Sequence, residues 1–257
     1  MSLKMQEELG DDVTVLFVQS QEATPEQAEK FIYNKRWQND RSIWTTEQPF
    51  SVAIEGLPSG ALLGNDGSVL WSGRPTSDHS KVMDMVNEQI KLAKKGAKGM
   101  SPTAAKANGE YEKGNIAAAL KMLDGAPEAE KADAGKLRHS LETRTKAKVA
   151  RLDWYIENGD YDKADKLLAT LQKGVAGDEK FEASAKTAAD KLAAKELAQE
   201  REAAKAFAKV QKLMLDGKGG FDDIAVKQLT AVTTKYPNTR AAKRASHLID
   251  LSKVSDS

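Results

Sequence analysis

Side chains able to do chemistry are few in this sequence. The three histidines, His79, His139 and His247, lie far apart with no ligand spacing between them, so the sequence predicts no metal site. Asp66 precedes Gly67 in a pattern typical of a hairpin turn, where glycine supplies a positive φ, and this favours a turn over an acid or base role. We therefore predict no catalytic residue and no cofactor.

The chain of 257 residues contains no cysteine. This excludes disulfide bonds, thiolate catalysis and cysteine-bound zinc within the chain, because each of them needs the sulfur atom. The first residues are acidic and lack the apolar core of a signal peptide. The sequence as written thus predicts a cytoplasmic protein, and an export signal upstream of Met1 would reverse that expectation.

Charge and hydropathy exclude two classes of partner. The formal net charge is +1, which gives no general attraction to nucleic acid or to an anionic membrane. The basic stretch at residues 136–151 follows a helical pattern without interleaved aromatic side chains, as is typical of a solvated helix face. No apolar run approaches the length that spans a bilayer. We expect no nucleic-acid partner and no membrane span.

The most informative stretch covers residues 55–75. It begins Gly56-Leu57-Pro58 and continues as a short apolar strand, an Asn-Asp-Gly turn and a second apolar strand, which is the pattern of a β-hairpin. A proline at the start of a strand is ordinary, because the missing N–H is harmless there. Three tryptophans, Trp37, Trp44 and Trp71, surround the stretch, and we expect them to fill the core of a small domain rather than to line a groove.

The elements around this hairpin predict a layered α/β sandwich over residues 1–95. Residues 13–18 form a continuous apolar run, which fits a strand buried on both faces. Thr24 is placed as the N-cap of a helix that has Pro25 at its first position. A final amphipathic helix is predicted over residues 78–93, after the hairpin.

In this order, the elements resemble a thioredoxin-fold redoxin of the TlpA or AhpC/TSA type. Residues 6–18 resemble the second strand and its approach, residues 24–37 the following helix, and residues 56–73 the hairpin that carries a cis-proline. The resemblance covers residues 3–93 and implies that Gly56, Leu57 and Pro58 present a backbone edge to an extended peptide or thiol partner. The family's first strand and Cys-x-x-Cys segment have no counterpart here, so a partial, truncated fold is expected.

Residues 96–102 contain two glycines and a proline and are predicted to be a linker. Residues 103–257 are rich in Ala, Lys, Glu and Leu and predict an all-α domain of tetratricopeptide-like helical hairpins. Gly114, Gly159 and Gly220 each precede a second helix, but at wider and less even spacing than the ~34 residues of a regular array. Residues 181–208 are predicted to form one long helix.

Two functions follow from these expectations. The first is a redox-inactive, thioredoxin-like protein whose helical region binds a protein or peptide partner, since such helical repeats commonly grip a peptide or helix. The second is the C-terminal portion of a TlpA-like thiol–disulfide oxidoreductase whose Cys-x-x-Cys lies upstream of Met1. For the chain as written, thiol exchange is excluded because it needs a thiolate.

Overall fold

The computed structural model describes residues 5, 8–18, 23–37, 42–45, 59–64, 67–95, 100–216 and 220–255. The chain is mostly helical, and the strands of its described part form two small sheets of two strands each. It divides into two compact units. One unit combines Met1–Ile90 with Lys205–Ser257, and the other is Lys91–Ala204. The sequence composition changes near residue 100. The compact units do not follow this change, because the last helices belong to the same unit as the first 90 residues.

In the first unit, a 3-10 helix (Gly10–Asp12) precedes a parallel β–α–β segment. Strand β1 (Val15–Val18) pairs in parallel with β2 (Ser42–Thr45), and helix α1 (Pro25–Asn34) lies between them in sequence. The predicted N-cap is confirmed. Thr24 Oγ1 accepts a hydrogen bond from the Gln27 N–H at 3.3 Å, and Gln27 Oε1 accepts one from the Thr24 N–H at 3.0 Å. This reciprocal pair satisfies two backbone donors that the first turn of a helix leaves over.

The expectation that the apolar run at 13–18 is buried on both faces is wrong. Leu16 and Val18 lie on one face of β1 and are 40% and 38% exposed, while Val15 and Phe17 on the other face are partly buried. Successive side chains in a strand point to opposite faces, and among the described residues this sheet has only two strands. One face of β1 therefore stays accessible.

The predicted hairpin is present after this segment. Strands β3 (Gly60–Leu63) and β4 (Val69–Gly73) pair antiparallel with Leu62 opposite Trp71, and helix α2 (His79–Lys95) follows. The Trp71 indole N–H donates to the Asp78 carboxylate at 2.9 Å, directly before α2. Trp71, Val82 and Val86 form a small buried cluster that holds the hairpin on the helix.

The second unit is helical. It contains α3 (Pro102–Glu112), α4 (Ile116–Asp124), α5 (Lys131–Glu157), α6 (Tyr161–Val175), α7 (Glu179–Leu192) and the start of α8 (Leu197–Asp216). Each helix from α3 to α6 packs on the next, and α3 also packs on α5, α4 on α6 and α5 on α7. Helices two apart in the chain therefore lie side by side, as in successive helical hairpins. Their shared core includes Leu120, Leu141, Leu152, Leu171 and Val175.

The expectation of one long helix over residues 181–208 is wrong, because α7 ends at Leu192 and α8 begins at Leu197. Arg201 stabilises this break. Its guanidinium donates to the Leu192 carbonyl oxygen at 3.2 Å and to the two Asp165 carboxylate oxygens at 2.7 and 3.1 Å. The break lets Leu192 stay buried while Leu197 packs against the same core. The longest helix of the unit is instead α5, with 27 residues.

The last two helices of the chain belong to the first unit. Helices α9 (Asp223–Lys235) and α10 (Arg240–Ser252) pack on each other, and α10 packs on α1. His247 Nε2 lies 2.9 Å from Glu29 Oε2, and Lys30 Nζ donates to the Val254 carbonyl oxygen. Asp222 caps the start of α9, since its carboxylate accepts from the Ala225 N–H at 2.7 Å.

Candidate protein-binding surface

The residues that the redoxin resemblance places at a partner edge, Gly56, Leu57 and Pro58, lie outside the described residues, as does Asp66. The described hairpin strand β3 begins close after them, at Gly60. Their predicted role at a partner edge stays a prediction.

The tryptophans of the first unit differ in their surroundings. Trp71 is 8% exposed and belongs to the core, as expected. Trp37 is exposed, and its ring meets the Phe31 ring edge-on with 5.4 Å between centroids. Trp44 lies in β2, opposite Phe17. Trp37 therefore packs locally at the surface rather than in a core.

The histidines lie in three different helices. His79 begins α2, His139 lies in α5, and His247 lies beside Glu29 in the contact between α10 and α1. Within the described ranges, no group of three or more His, Asp or Glu side chains is arranged to hold a metal ion. In the same part of the chain, no helix has the length and apolar character needed to cross a membrane.

A groove lies between α5 and α7 of the second unit. It has a volume of about 230 Å³ and is lined by residues of both helices. Its apolar base comes from Val149 and the buried Phe181, and the small side chains Ala150 and Ser184 leave room above them. The remaining lining residues are charged: Lys146, Asp153 and Lys180. We call this feature the α5–α7 groove.

The periodicity of α5 explains why it presents this surface. Leu141, Thr145, Leu152 and Ile156 are buried and recur at helical spacing, so one side of α5 faces the core. Ala147, Ala150 and Trp154 fall out of that register and are exposed on the opposite side. A strip of small side chains therefore ends at a large aromatic one.

Trp154 is the large aromatic side chain at the end of this strip. Its side chain is 53% exposed and lies one turn after Ala150 on α5. The ring contacts Tyr155 edge-on at 5.6 Å between centroids, and Lys163 Nζ lies 5.7 Å from the Tyr155 centroid. The Trp154 ring therefore has a contact with Tyr155, while about half of the Trp154 side chain is exposed to solvent.

Positive charge is concentrated on α5 beside the groove. The run 144–151 carries four cations and no acidic residue. Arg144 donates to Glu112 at 2.8 Å, and both Arg144 and Lys148 lie over the Tyr111 ring, at 4.5 and 4.8 Å from its centroid. The Tyr111 hydroxyl in turn lies 3.3 Å from the buried Thr145 Oγ1. Two of the four cations are thus held on α3.

The lysines that line the groove are held less firmly. Lys180 Nζ lies 3.6 Å from Glu142 Oε2, which is longer than the 2.7–2.9 Å of a strong charge-assisted hydrogen bond. Lys146 is exposed and makes no ion pair within the part of the chain that the structure describes. At the other end of the groove, Asp153 is paired with Lys191 at 2.7 Å. Lys180 Nζ also lies 5.5 Å from the Phe181 ring centroid. The groove therefore presents two cations, of which Lys180 is held by a long ion pair and a ring contact.

The sequence did not single out Trp154 or the groove. One signal was present: Trp154 is out of phase with the buried positions of α5, so a helical pattern places it on the solvent side. The other wall of the groove comes from α7, whose Lys180 and Phe181 lie 27 or more residues after the lining residues of α5. The sequence around either helix does not indicate that the two pack together.

The comparisons with known proteins give no match. No protein-family model matches the chain, and neither a curated protein nor a solved structure shows significant similarity to it.

Proposed function

We propose that this protein is a redox-inactive interaction protein, in which a thioredoxin-like module accompanies a helical scaffold that binds a polypeptide partner. The observation that carries the proposal is the α5–α7 groove beside Trp154. Interface centres are rich in exposed aromatic anchors and pockets that receive single side chains. An indole that is 53% exposed next to such a groove matches that description.

The side-by-side packing of α3, α5 and α7 supports the same function. These helices give a continuous surface of alternate helices rather than an enclosed cavity. Extended surfaces of this kind suit long polypeptide ligands, because each helix adds contacts along the ligand. The groove volume of about 230 Å³ lies below the ~300–1,000 Å³ of small-molecule sites and favours a side chain of a larger partner.

The topology of the first unit supports the thioredoxin-like part of the proposal. A parallel β1–α1–β2 segment is followed by an antiparallel hairpin and a helix, an order compatible with a partial thioredoxin-like sandwich. Without cysteine, the module has no thiolate for disulfide exchange. The purified chain should therefore not accelerate insulin reduction by dithiothreitol, and a clear acceleration would contradict redox inactivity.

Binding is tested by selecting peptides from a random-sequence display library on the purified chain. The best binders are then measured by fluorescence anisotropy against the wild type and two variants. Ala150→Arg fills the groove and Trp154→Ala removes the anchor, so each should weaken binding about tenfold or more. The matched controls Ala169→Arg, on an exposed position of α6, and Met122→Ala, on α4, should not. Failure to select any binder would overturn the interaction function.

A second function, a thiol–disulfide oxidoreductase of which this chain is the C-terminal portion, is favoured by the exposed face of β1. Leu16 and Val18 expose apolar surface that another element of a complete redoxin fold would cover. The coding sequence upstream of the Met1 codon decides this proposal. An in-frame apolar strand followed by Cys-x-x-Cys would support it, and a stop codon or an unrelated gene would reject it.

A further inference from the structure

We propose that the α5–α7 groove binds an acidic polypeptide segment, with one apolar side chain in the groove beside Trp154 and carboxylates directed to Lys146 and Lys180. This inference rests on the proposed interaction function and adds the chemistry of the partner. It is argued from the size of the groove, the charges around it and the position of the indole.

The groove admits one apolar side chain. Val149 and Phe181 form its base, and Phe181 is only 2% exposed, so the floor is fixed by the core beneath it. A floor that does not have to reorganise costs little when a ligand binds. The small Ala150 and Ser184 leave the opening between the helices, which is why a side chain can enter from solvent.

The charges at the groove favour an acidic partner. Lys146 lines the groove without an ion pair in the described part of the chain, and Lys180 has a long ion pair with Glu142 and lies 5.5 Å from the centroid of the Phe181 ring. Arg144 and Lys148, which flank Lys146 along α5, are fixed over Tyr111 and add positive potential nearby. A carboxylate that approaches Lys146 and Lys180 therefore meets attraction from several cations, gains an ion pair with Lys146 and can approach Lys180 more closely than Glu142 does.

Trp154 extends the apolar contact beyond the groove. It lies one turn from Ala150 on the same exposed side of α5, so a segment that crosses the groove also meets the indole. Tryptophan at such a position is a typical hot spot of binding, because a large apolar area is buried with few rotors to restrict.

The same surface disfavours nucleic acid. Asp153 lines the groove, and Glu112 and Glu142 lie against the cations that surround it. These carboxylates would repel a continuous line of phosphates. A peptide can instead place its carboxylates at the lysines and its backbone N–H groups toward the acidic side chains. The mixed pattern of charge thus fits a peptide with spaced acidic residues.

The test starts from the peptides selected on the full chain from the random library. We expect the selected sequences to be acidic around an apolar residue. The tightest binder is resynthesised with every Asp and Glu replaced by Asn and Gln, and this neutral peptide should bind about tenfold more weakly or worse. Binding of the acidic peptide should also weaken when salt rises from about 0.05 M to about 0.5 M, because screening shortens the reach of the charges.

Charge reversal identifies the residues. Lys146→Glu and Lys180→Glu should each weaken the acidic peptide about tenfold, whereas Lys166→Glu, at an exposed position of α6, should leave binding unchanged. Circular dichroism of each variant verifies that the helices are intact. A single-stranded oligonucleotide serves as competitor, and displacement of the peptide by it at equal concentration would overturn the inference in favour of nucleic acid.

The outcomes separate this inference from the proposed function. Selected peptides that bind at Trp154 but are neutral or basic would reject the acidic partner and leave the interaction function standing. If the affinity of the selected peptides is unchanged by Ala150→Arg and by Trp154→Ala, this groove is not the binding site. A library that yields no binder at all would reject both.

Discussion

Gly174 lies directly against Gly114. A β-carbon at position 174 would come within 2.4 Å of the Gly114 carbonyl oxygen, a distance that real side chains do not adopt. Gly174 is buried in the last turn of α6, and Gly114 lies in the turn between α3 and α4 with φ of 91°. The backbone of that turn therefore packs onto α6 at a point where only hydrogen fits.

Gly174→Ala should destabilise the second unit by about 1–3 kcal/mol, because the methyl group forces the turn at Gly114 away from α6. Gly135→Ala is the matched control. No atom lies within 4 Å of a β-carbon at Gly135, so alanine in that helical position should stabilise by about 0.5–1 kcal/mol. Urea unfolding followed by far-UV circular dichroism measures both, and equal signs for the two substitutions would contradict this account.

Thr145→Val should lower the free energy of unfolding by about 1–3 kcal/mol. The buried Thr145 hydroxyl donates to the Leu141 carbonyl oxygen at 2.8 Å, so it serves as acceptor for the Tyr111 hydroxyl at 3.3 Å. Valine keeps the shape but leaves the Tyr111 hydroxyl without this acceptor. Tyr111→Phe in the same chain removes the stranded group, and the double variant should therefore lose less stability than the two single losses combined.

The stability of the first unit should fall above pH 10. Burial, and then the charge of Glu29, raise the pKa of the Tyr33 phenol above its ordinary value of 10.0, against smaller opposing effects of Arg244 and Gln211. The unfolded chain releases this proton first as pH rises, so the contribution of the neutral phenol is complete below pH 10 and is lost above it. Tyr33→Phe should flatten the decline of unfolding free energy between about pH 9 and pH 11, and an unchanged slope would count against this role.

Gly220→Ala should destabilise the first unit by about 1–3 kcal/mol. Gly220 has φ of 67°, which disfavours any side chain, and a β-carbon there would lie 2.1 Å from Asn34 Oδ1 in α1. Asn34→Ala in the same chain relieves the clash but not the backbone strain, so we expect a partial rescue. Hydrogen exchange in α1 and α9 reports the effect. Gly125→Ala, where a β-carbon meets only ordinary contacts at 3.8 Å, serves as control.

Features set by neighbouring residues were predictable from the sequence. The capping of α1 by Thr24 and of α9 by Asp222 joins a side chain to a backbone N–H three residues on, so the local pattern contains the whole interaction. The three glycines placed before second helices, Gly114, Gly159 and Gly220, all have positive φ, as expected of the turns between helices.

Features set by distant residues were not predictable in the same way. The break between α7 and α8 depends on Arg201 meeting Asp165, which is 36 residues away. The exposure of Leu16 depends on which strands lie beside β1, not on the apolar run that contains it. The contact of Glu29 with His247 joins residues 218 apart, and neither residue's neighbours in sequence indicate it.

Parts of the candidate site could be predicted from local sequence, and other parts depend on how distant helices pack. Trp154 could be placed on the solvent side of α5 from helical periodicity alone, because the buried positions of α5 recur at fixed spacing. The groove needs the small Ala150 of α5 to meet Ser184 of α7, which is a consequence of packing between two helices. A basic run at 144–151 is visible in the sequence, but only the packing shows that Arg144 is held on α3 while Lys146 lines the groove.

The discontinuous first unit sets an order of events during synthesis. Its α1 packs on α10, and the residues of α10 are translated only after all of Lys91–Ala204. At about 5–20 residues per second, the ribosome needs about 6–23 s to make that intervening segment. The second unit can therefore fold on the ribosome before α10, the helix on which α1 packs, has been synthesised. Over that interval the apolar surface of the nascent N-terminal part is open to chaperones.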